Sequence, residues 1–326
     1  MINYFLYILI SFFIIFIISK ISYYLNLVDI PNERKIHKKP VAYSGGIAIS
    51  IIYLVSLQLF QNIATELNLI ISIAFLIAII GFVDDKYNLN PGGKLSLQII
   101  PVFYLAFIEN INLSHLGDYN YFKLNLYSFT SPFTLLALLF MINATNYFDG
   151  IDGSLSITSI NTLFILFFLT EDPNLKVFII IIILPIIVFL LFNFSFLKLP
   201  KMFLGDSGSF LLGFLLSFIL IFYSIKNILH PIILAWSISI FVYEFLAINL
   251  KRLIQKKNPF KAGLDHLHHL LFKKTKSKFK TNFIISLLNV FLFTIGYLSF
   301  NVINPLSSLI AFVLMFFVFF YLRLKY

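Results

Sequence analysis

Eleven stretches of continuous apolar residues, at 3–19, 45–61, 67–83, 95–109, 132–147, 155–170, 175–194, 208–225, 231–250, 281–300 and 305–322, decide the medium in which this chain folds. A helix needs about 17 or more mostly apolar residues to cross ~30 Å of hydrocarbon, and several of these runs are short by that measure. The runs are uninterrupted rather than alternating, so they read as helices and not as the strands of a barrel. With 60% of its 326 residues hydrophobic and 12% charged, the chain is excluded from the class of water-soluble globules. The expected fold is an all-α, polytopic integral membrane bundle of about eleven transmembrane helices, forming a single membrane-embedded domain over 1–326. The first run has no basic residue before it, is followed by Lys20 and lacks a small-residue cleavage motif, so it reads as a retained helix with its N-terminus outside. The absence of cysteine removes disulfides, thiolate nucleophiles and cysteine-ligated zinc.

The net charge of +10 raises the question of nucleic acid, and its distribution answers it. Threaded from outside through eleven crossings, the chain leaves only Lys123, Lys176 and Lys226 on the outer side. Every other basic residue, from Lys20 and the Arg34–Lys39 cluster to the run between Lys251 and Lys280 and the terminal Arg323 and Lys325, falls inside. That asymmetry is the positive-inside rule, and it puts the C-terminus in the cytoplasm. The excess charge is a topology signal.

The same threading sorts the acids. Glu66, Glu109, Asp118, Glu171 and Asp172 fall outside in short polar turns. Asp84 and Asp85 in GFVDDKYNL, Asp149 and Asp152 in NATNYFDGIDG, Asp206 in FLGDSGS and Asp265 in GLDHLHHLL fall inside. Any one of these aspartates is explained by keeping a helix end in water. The set is not, because it comes with glycines that permit close backbone approach, with Asn143 and Asn146, and with His266, His268 and His269. The site loops are expected near 28–46, 84–94, 143–154, 195–209 and 251–280.

Carboxylate and amide oxygens without thiolates suit a hard cation, and magnesium takes one or two protein carboxylates and fills its shell with water and phosphate. The accompanying Lys94, Lys201, Lys261 and histidines are cationic or can become so, which suits a polyanionic substrate. Gly93-Lys94 lacks the upstream glycine of a Walker loop, 149–153 lacks a calcium loop's ligand series, and His266-Leu267-His268-His269 lacks zinc spacing. His37, His115 and His230 are isolated and carry no expected role. KKTKSKFK at 273–280 reads as a solvated charge run near anionic lipid.

Taken in order, VDIPNERKIHKKPVAYSGGIAI at 28–49, GFVDDKYNL, NATNYFDGIDG, FLGDSGS and NPFKAGLDHLHHLL at 258–271 resemble the polyprenyl-phosphate N-acetylhexosamine-1-phosphate transferases, and more distantly the phospho-MurNAc-pentapeptide transferase. The resemblance implies transfer of a sugar 1-phosphate from a UDP-linked N-acetylated sugar to a polyprenyl phosphate such as undecaprenyl phosphate, with UMP released, at the start of a cell-surface glycan. It implies Asp206 and Asn146 as ligands of Mg2+, for which Mn2+ could substitute. It also implies Asp84, Asp85, Asp149 and Asp152 as catalytic acids, and Lys94, His266, His268 and His269 as phosphate contacts, with Asn143 beside them as a candidate substrate contact. The expected partners are the nucleotide sugar, the lipid phosphate and the membrane, with room for a homodimer and none for nucleic acid. The expected location is the inner (plasma) membrane with the site cytoplasmic.

Three positions depart from the family pattern. Asn88 stands near a third aspartate of some members, Phe241-Val242-Tyr243-Glu244 replaces a Pro-x-x-Asp pattern, and Ala42 and Ser44 replace commoner proline and bulkier or basic residues. Glu244, within a membrane helix, is equally a functional candidate and a structural partner for a neighbouring helix. Rival readings are a cation-coupled secondary transporter and a non-catalytic scaffold. The first expects midplane sites in repeated halves, and the second needs no such polar set.

Overall fold

The computed structural model describes residues 2–31, 39–60, 65–258, 263 and 265–325. The expectations for Arg34, Lys35, His37, Lys38 and Lys261 lie outside the described residues. Each apolar run contains a helix. In chain order these are α1 (Ile2–Tyr24), α2 (Gly45–Leu59), α3 (Thr65–Tyr87), α4 (Pro91–Phe103), α5 (Thr130–Phe148), α6 (Ser154–Leu169), α7 (Pro173–Asn193), α8 (Gly205–Ile225), α9 (Pro231–Ser237), α10 (Ser239–Ile254), α11 (Leu267–Thr275), α12 (Lys278–Leu298) and α13 (Pro305–Lys325). Among the described residues eight helices are long and apolar enough to cross a membrane, or nine if α9 and α10, bent by 71° at their junction, form one span. Helices α2 and α6, of 15 and 16 residues, fall short, because at 1.5 Å per residue they reach only about 22–24 Å. The multi-pass helical architecture is as expected, with eight or nine spans meeting the length criterion. Short antiparallel ladders also occur between helices, β1 (Val28–Asp29) with β2 (Val41–Ala42) and β3 (His115–Asp118) with β4 (Lys123–Asn125).

The chain forms two compact units, Met1–Pro101 with Glu171–Leu215 and Val102–Thr170 with Leu216–Tyr326. In the first, α1 and α2 pack on each other and on α7. Pro185 lies inside α7, where it has no N–H to give the carbonyl of Ile181. The buried Tyr7 hydroxyl donates to that carbonyl at 3.2 Å, and the Tyr53 hydroxyl donates to the next, Ile182, at 2.9 Å. A bilayer offers no water to do this, so the two tyrosines both satisfy the break and tie three helices together.

In the same unit α3 and the start of α8 touch backbone to backbone at Gly81. A Cβ there would lie 2.5 Å from the carbonyl carbon of Asp206 and from Cα of Ser207. The glycine is what allows the end of α3 to reach the start of α8.

In the second unit the same rule governs the α9–α10 break. The carbonyl of Ser237 accepts from the Thr162 hydroxyl of α6 at 3.1 Å. Trp236 donates its indole N–H to Ser308 Oγ of α13 at 3.0 Å, and Tyr243 donates to the Phe312 carbonyl at 2.7 Å. Polar atoms of the core thus close on neighbouring helices.

Gly81→Ala is expected to lower the thermal midpoint of the detergent-solubilised protein, since overpacking costs about 1–3 kcal/mol and a backbone clash more. Gly92→Ala, whose added carbon meets only Asn90 Oδ1 at 3.5 Å, should leave the midpoint unchanged. Equal melting curves for the two variants would mean that α3 and α8 do not meet as closely as Gly81 requires.

Candidate active site

The polar cluster of the first unit begins where α3 stops. Asn88 takes the left-handed conformation, φ 50°, and its N–H returns to the Asp84 carbonyl at 2.8 Å. Asparagine tolerates that geometry at a helix C-terminus, so the position where a third acid was considered is a helix stop. The next amide, Leu89, donates to Asp84 Oδ1 at 3.0 Å. Asp84 is 4% exposed, and its other oxygen contacts the ammonium of Lys94. Lys94, on the first turns of α4, also reaches Asp206 Oδ2 at 3.1 Å and lies over the Phe210 ring.

Adjacent Asp85 does something different. Its Oδ1 accepts the N–H of Asp206 at 2.9 Å and its Oδ2 that of Ser207 at 3.2 Å. The first amides of a helix have no partners within it and carry its positive pole, so Asp85 caps α8 from another helix and fixes where Asp206 points. From the other side, VAYSGG holds FLGDSGS by backbone bonds: Phe203 N–H to the Ala42 carbonyl at 2.7 Å, Gly45 N–H to Phe203 at 3.1 Å and Gly46 N–H to Leu204 at 2.8 Å. Ala42 is fully buried, and the Ser44 hydroxyl lies 2.5 Å from that of Ser22. The unusual residues Ala42 and Ser44 are thus spent on packing this scaffold. The Tyr43 phenol is pushed up by burial and then by the negative charges of Asp85 and Asp29, so it keeps its proton at neutral pH.

The second unit holds the asparagines, the other aspartates and the histidines. Helix α5 ends at Phe148, and Ser154 at the head of α6 donates its hydroxyl back to the Phe148 carbonyl at 2.8 Å, closing the Asp149–Gly153 turn. Asn143 donates its amide to the Leu139 carbonyl of its own helix at 2.8 Å. Asn146 gives its backbone carbonyl to Asp149 N–H at 3.3 Å. Asp152 is pinned from α12: its Oδ2 meets Lys278 Nζ at 2.5 Å, and its backbone carbonyl accepts from Asn282 Nδ2 at 2.9 Å. Lys278 therefore does not belong to a solvated charge run. It and Asn282 sit four residues apart on one helix face and fasten the loop.

The histidine motif packs on that loop. A Cβ at Gly150 would collide with Nε2 of His268 and lie 2.8 Å from Nε2 of His269. The rings of His266 and His268 are parallel at 5.6 Å, and those of His268 and His269 are 4.3 Å apart. His268 is fully buried, and neither of its ring nitrogens meets a hydrogen-bond partner among the described residues. Buried polar atoms of that kind call for one.

Burial, and then the nearby Arg252 guanidinium, push His266 down to about 4. Burial and the neighbouring rings hold His268 well below the usual imidazole range, and burial also lowers His269. These histidines, read from sequence as cationic or able to become so, are held toward the neutral form, because apolar surroundings disfavour the imidazolium. His230, given no role from sequence, places Nε2 3.0 Å from the Asp118 carbonyl and accepts Ile232 N–H on Nδ1 at 3.2 Å, so it caps α9.

Among the described residues no group of three or more His, Asp or Glu side chains is arranged to hold a metal. Magnesium needs only one or two carboxylates, and the first unit fits that need. Asp84 and Asp206 converge on one cation, the Lys94 ammonium, and Asp85 lies beside them. The expected metal pair is divided between the units, Asp206 in the first and Asn146 in the second.

The apolar helices define a multi-pass membrane protein. The family model described as glycosyl transferase family 4 matches residues 67–224, which include GFVDDKYNL, NATNYFDGIDG and FLGDSGS. The undecaprenyl-phosphate alpha-N-acetylglucosaminyl 1-phosphate transferase of Yersinia pestis is 28% identical over 266 residues, covering 79% of this chain and 73% of its own. That of Escherichia coli K12 is 27% identical over 293 residues, 87% of this chain and 80% of its own, and that of Haemophilus influenzae 28% over 321, 95% and 90%. Over residues 67–224 the chain is similar to glycosyl transferase family 4.

The lowered histidines give stability a pH dependence of definite sign. Between about 6.5, the ordinary imidazole value, and about 4 for folded His266, the unfolded chain binds more protons than the folded one. Stability is therefore complete above the unfolded value and falls as pH drops through that window. The thermal midpoint in detergent should decline from pH 6.5 to 4, less steeply in His266→Gln. A flat profile in the wild type would show that these rings take up protons as readily in the folded chain as in the unfolded one.

Proposed function

We propose that this chain transfers an N-acetylhexosamine 1-phosphate from a UDP-sugar to a polyprenyl phosphate, of which undecaprenyl phosphate is the form named for its relatives, releasing UMP and initiating a cell-surface glycan. N-acetylglucosamine, named in the same relatives, is the first sugar to test. The reading includes a single transferase domain over 1–326 with eleven crossings in the inner membrane, outer N-terminus and cytoplasmic site loops. The observation that carries it is the convergence of Asp84 and Asp206 on Lys94, with Asp85 fixing Asp206 by capping α8.

Asp206 and Asp84 are assigned to hold magnesium in the first unit. When bound, the ion neutralises charge on the phosphate being transferred. Lys94, released in part from its two carboxylates, neutralises a substrate phosphate oxygen. In the second unit the Asn143–Asp149 segment and His266, His268 and His269 are assigned to the nucleotide diphosphate. The neutral rings can donate a hydrogen bond to an anion, and the missing partners of His268 suit that role. Asp152, held by Lys278, orients the loop.

The lipid phosphate is already anionic, so direct attack on the sugar-linked phosphorus requires orientation rather than a strong base. Bond formation from the lipid oxygen then accompanies loss of UMP. The surroundings of the acids weigh for this over a phospho-aspartate. Both oxygens of Asp85 are engaged by α8 amides, and those of Asp84 by Leu89 and Lys94.

The purified protein should release UMP from UDP-N-acetylglucosamine or another UDP-N-acetylhexosamine only with polyprenyl phosphate and magnesium. Asp206→Ala should lower the rate by at least about 100-fold. UMP exchange into the UDP-sugar without lipid would replace direct attack by the covalent route. Silence of the wild type across a panel of UDP-sugars would end the assignment.

A further inference from the structure

The last turn of α13 is exposed except at one residue, whose side chain turns inward. Arg323, three residues from the C-terminal Tyr326, is 4% exposed, and Glu244 of α10, its partner, is 1% exposed. The contact is a two-pronged one, Nε to Oε2 at 2.9 Å and Nη2 to Oε1 at 3.0 Å. A bidentate guanidinium–carboxylate pair is a directional device that lysine cannot reproduce.

What the pair touches next gives it a purpose. Glu244 Oε1 also accepts the N–H of Leu267 at 2.8 Å, and Arg323 Nη2 also donates to the carbonyl of Asp265 at 2.6 Å. Those are the backbone groups on either side of His266. His266 occupies the N-cap position of α11 without a side-chain cap bond, so the buried carboxylate of Glu244 serves an orphan amide of that helix in its place. The Asp265 side chain is gripped separately by Arg252, Nη2 to Oδ1 at 2.7 Å and Nε to Oδ2 at 3.1 Å. Lys251 donates to the carbonyl of Arg323 at 2.8 Å and closes the loop of contacts.

We propose that Glu244 and Arg323 are positioning residues, a buried clamp through which α10 and the final turn of α13 set the backbone on both sides of His266 and so seat His268 and His269 against Gly150. An ion pair kept only for stability would be satisfied by its own two side chains. This one spends an oxygen and a nitrogen on the histidine segment.

The kinetic half of the test rests on the function proposed above, and the labelling half does not. Full-length protein in detergent is treated with diethyl pyrocarbonate, and the rate at the 266–269 histidines is read by mass spectrometry against His115 as an internal control. The wild type should be protected at His268. Arg323→Ala should label there about tenfold faster, with Arg323→Lys between the two and His115 unchanged in all. In the assay, Arg323→Ala and Glu244→Gln should raise KM for the UDP-sugar by about tenfold and leave KM for polyprenyl phosphate within about twofold.

If Arg323→Ala labels faster at His115 as well, it has lost its fold, and Arg323→Lys and Glu244→Gln then decide for or against the clamp. Labelling and UDP-sugar KM at wild-type values in the folded variants would overturn it. A wild type that releases no UMP would sink the proposed function while labelling still tests the clamp.

Discussion

A helix end in an apolar medium has amides and carbonyls that water cannot serve, and much of this protein is built around that deficit. Asp85 answers it at the start of α8, Glu244 at the start of α11, Tyr7 and Tyr53 at the Pro185 break, and Thr162 at the α9–α10 bend. Each answer comes from a different helix, so satisfying a backbone group also fixes a pair of helices. Two of the four places so served carry the polar residues on which chemistry is proposed. Cap and site are therefore one design problem, in which a group that completes a helix also aims its first side chains.

This explains why a chain with so few charges uses them in pairs. Removing one partner of a buried ion pair leaves an uncompensated charge and costs about 3–5 kcal/mol. Such pairs are retained where geometry matters more than net stability. Lys94 between Asp84 and Asp206, Lys278 on Asp152, and Arg323 on Glu244 each join segments far apart in sequence. The carboxylate in each pair either belongs to a proposed site loop or supports one.

The apolar runs made the helices legible, since a continuous stretch in lipid has few alternatives to a helix. The α9–α10 bend was not legible, because the run at 231–250 has no internal proline or glycine to mark it. Its cause is a tertiary hydrogen bond from Thr162 together with the packing of Trp236 and Tyr243. The site aspartates were legible as a set because glycines and amides travel with them, but their partners were not. Lys278 looked like one more lysine in KKTKSKFK, and Arg323 like one more terminal cation. A signal existed for the second. The chain has only three arginines among its 24 basic residues, and Arg252 and Arg323 both form buried or half-buried two-pronged carboxylate pairs. Where lysine is the default cation, arginine marks a need for a planar fork.

The adjacent acids are separated by the geometry of the helix that carries them. Neighbouring residues on a helix point about 100° apart, so Asp84 and Asp85 cannot both face one ligand. Asp85 turns to the amides of α8, and Asp84 to Lys94. The second unit divides its pair by a different means. Asp152 is drawn to Lys278 and Asn282 on α12, while Asp149 stays at the end of α5 beside the histidine-facing glycine. In the first unit Asp85 is committed to the amides of α8, and in the second Asp152 is committed to Lys278 of α12. A carboxylate already serving two backbone amides is a poor nucleophile but a good fixed point, and Asp85 in that role fixes the head of α8 from which Asp206 projects.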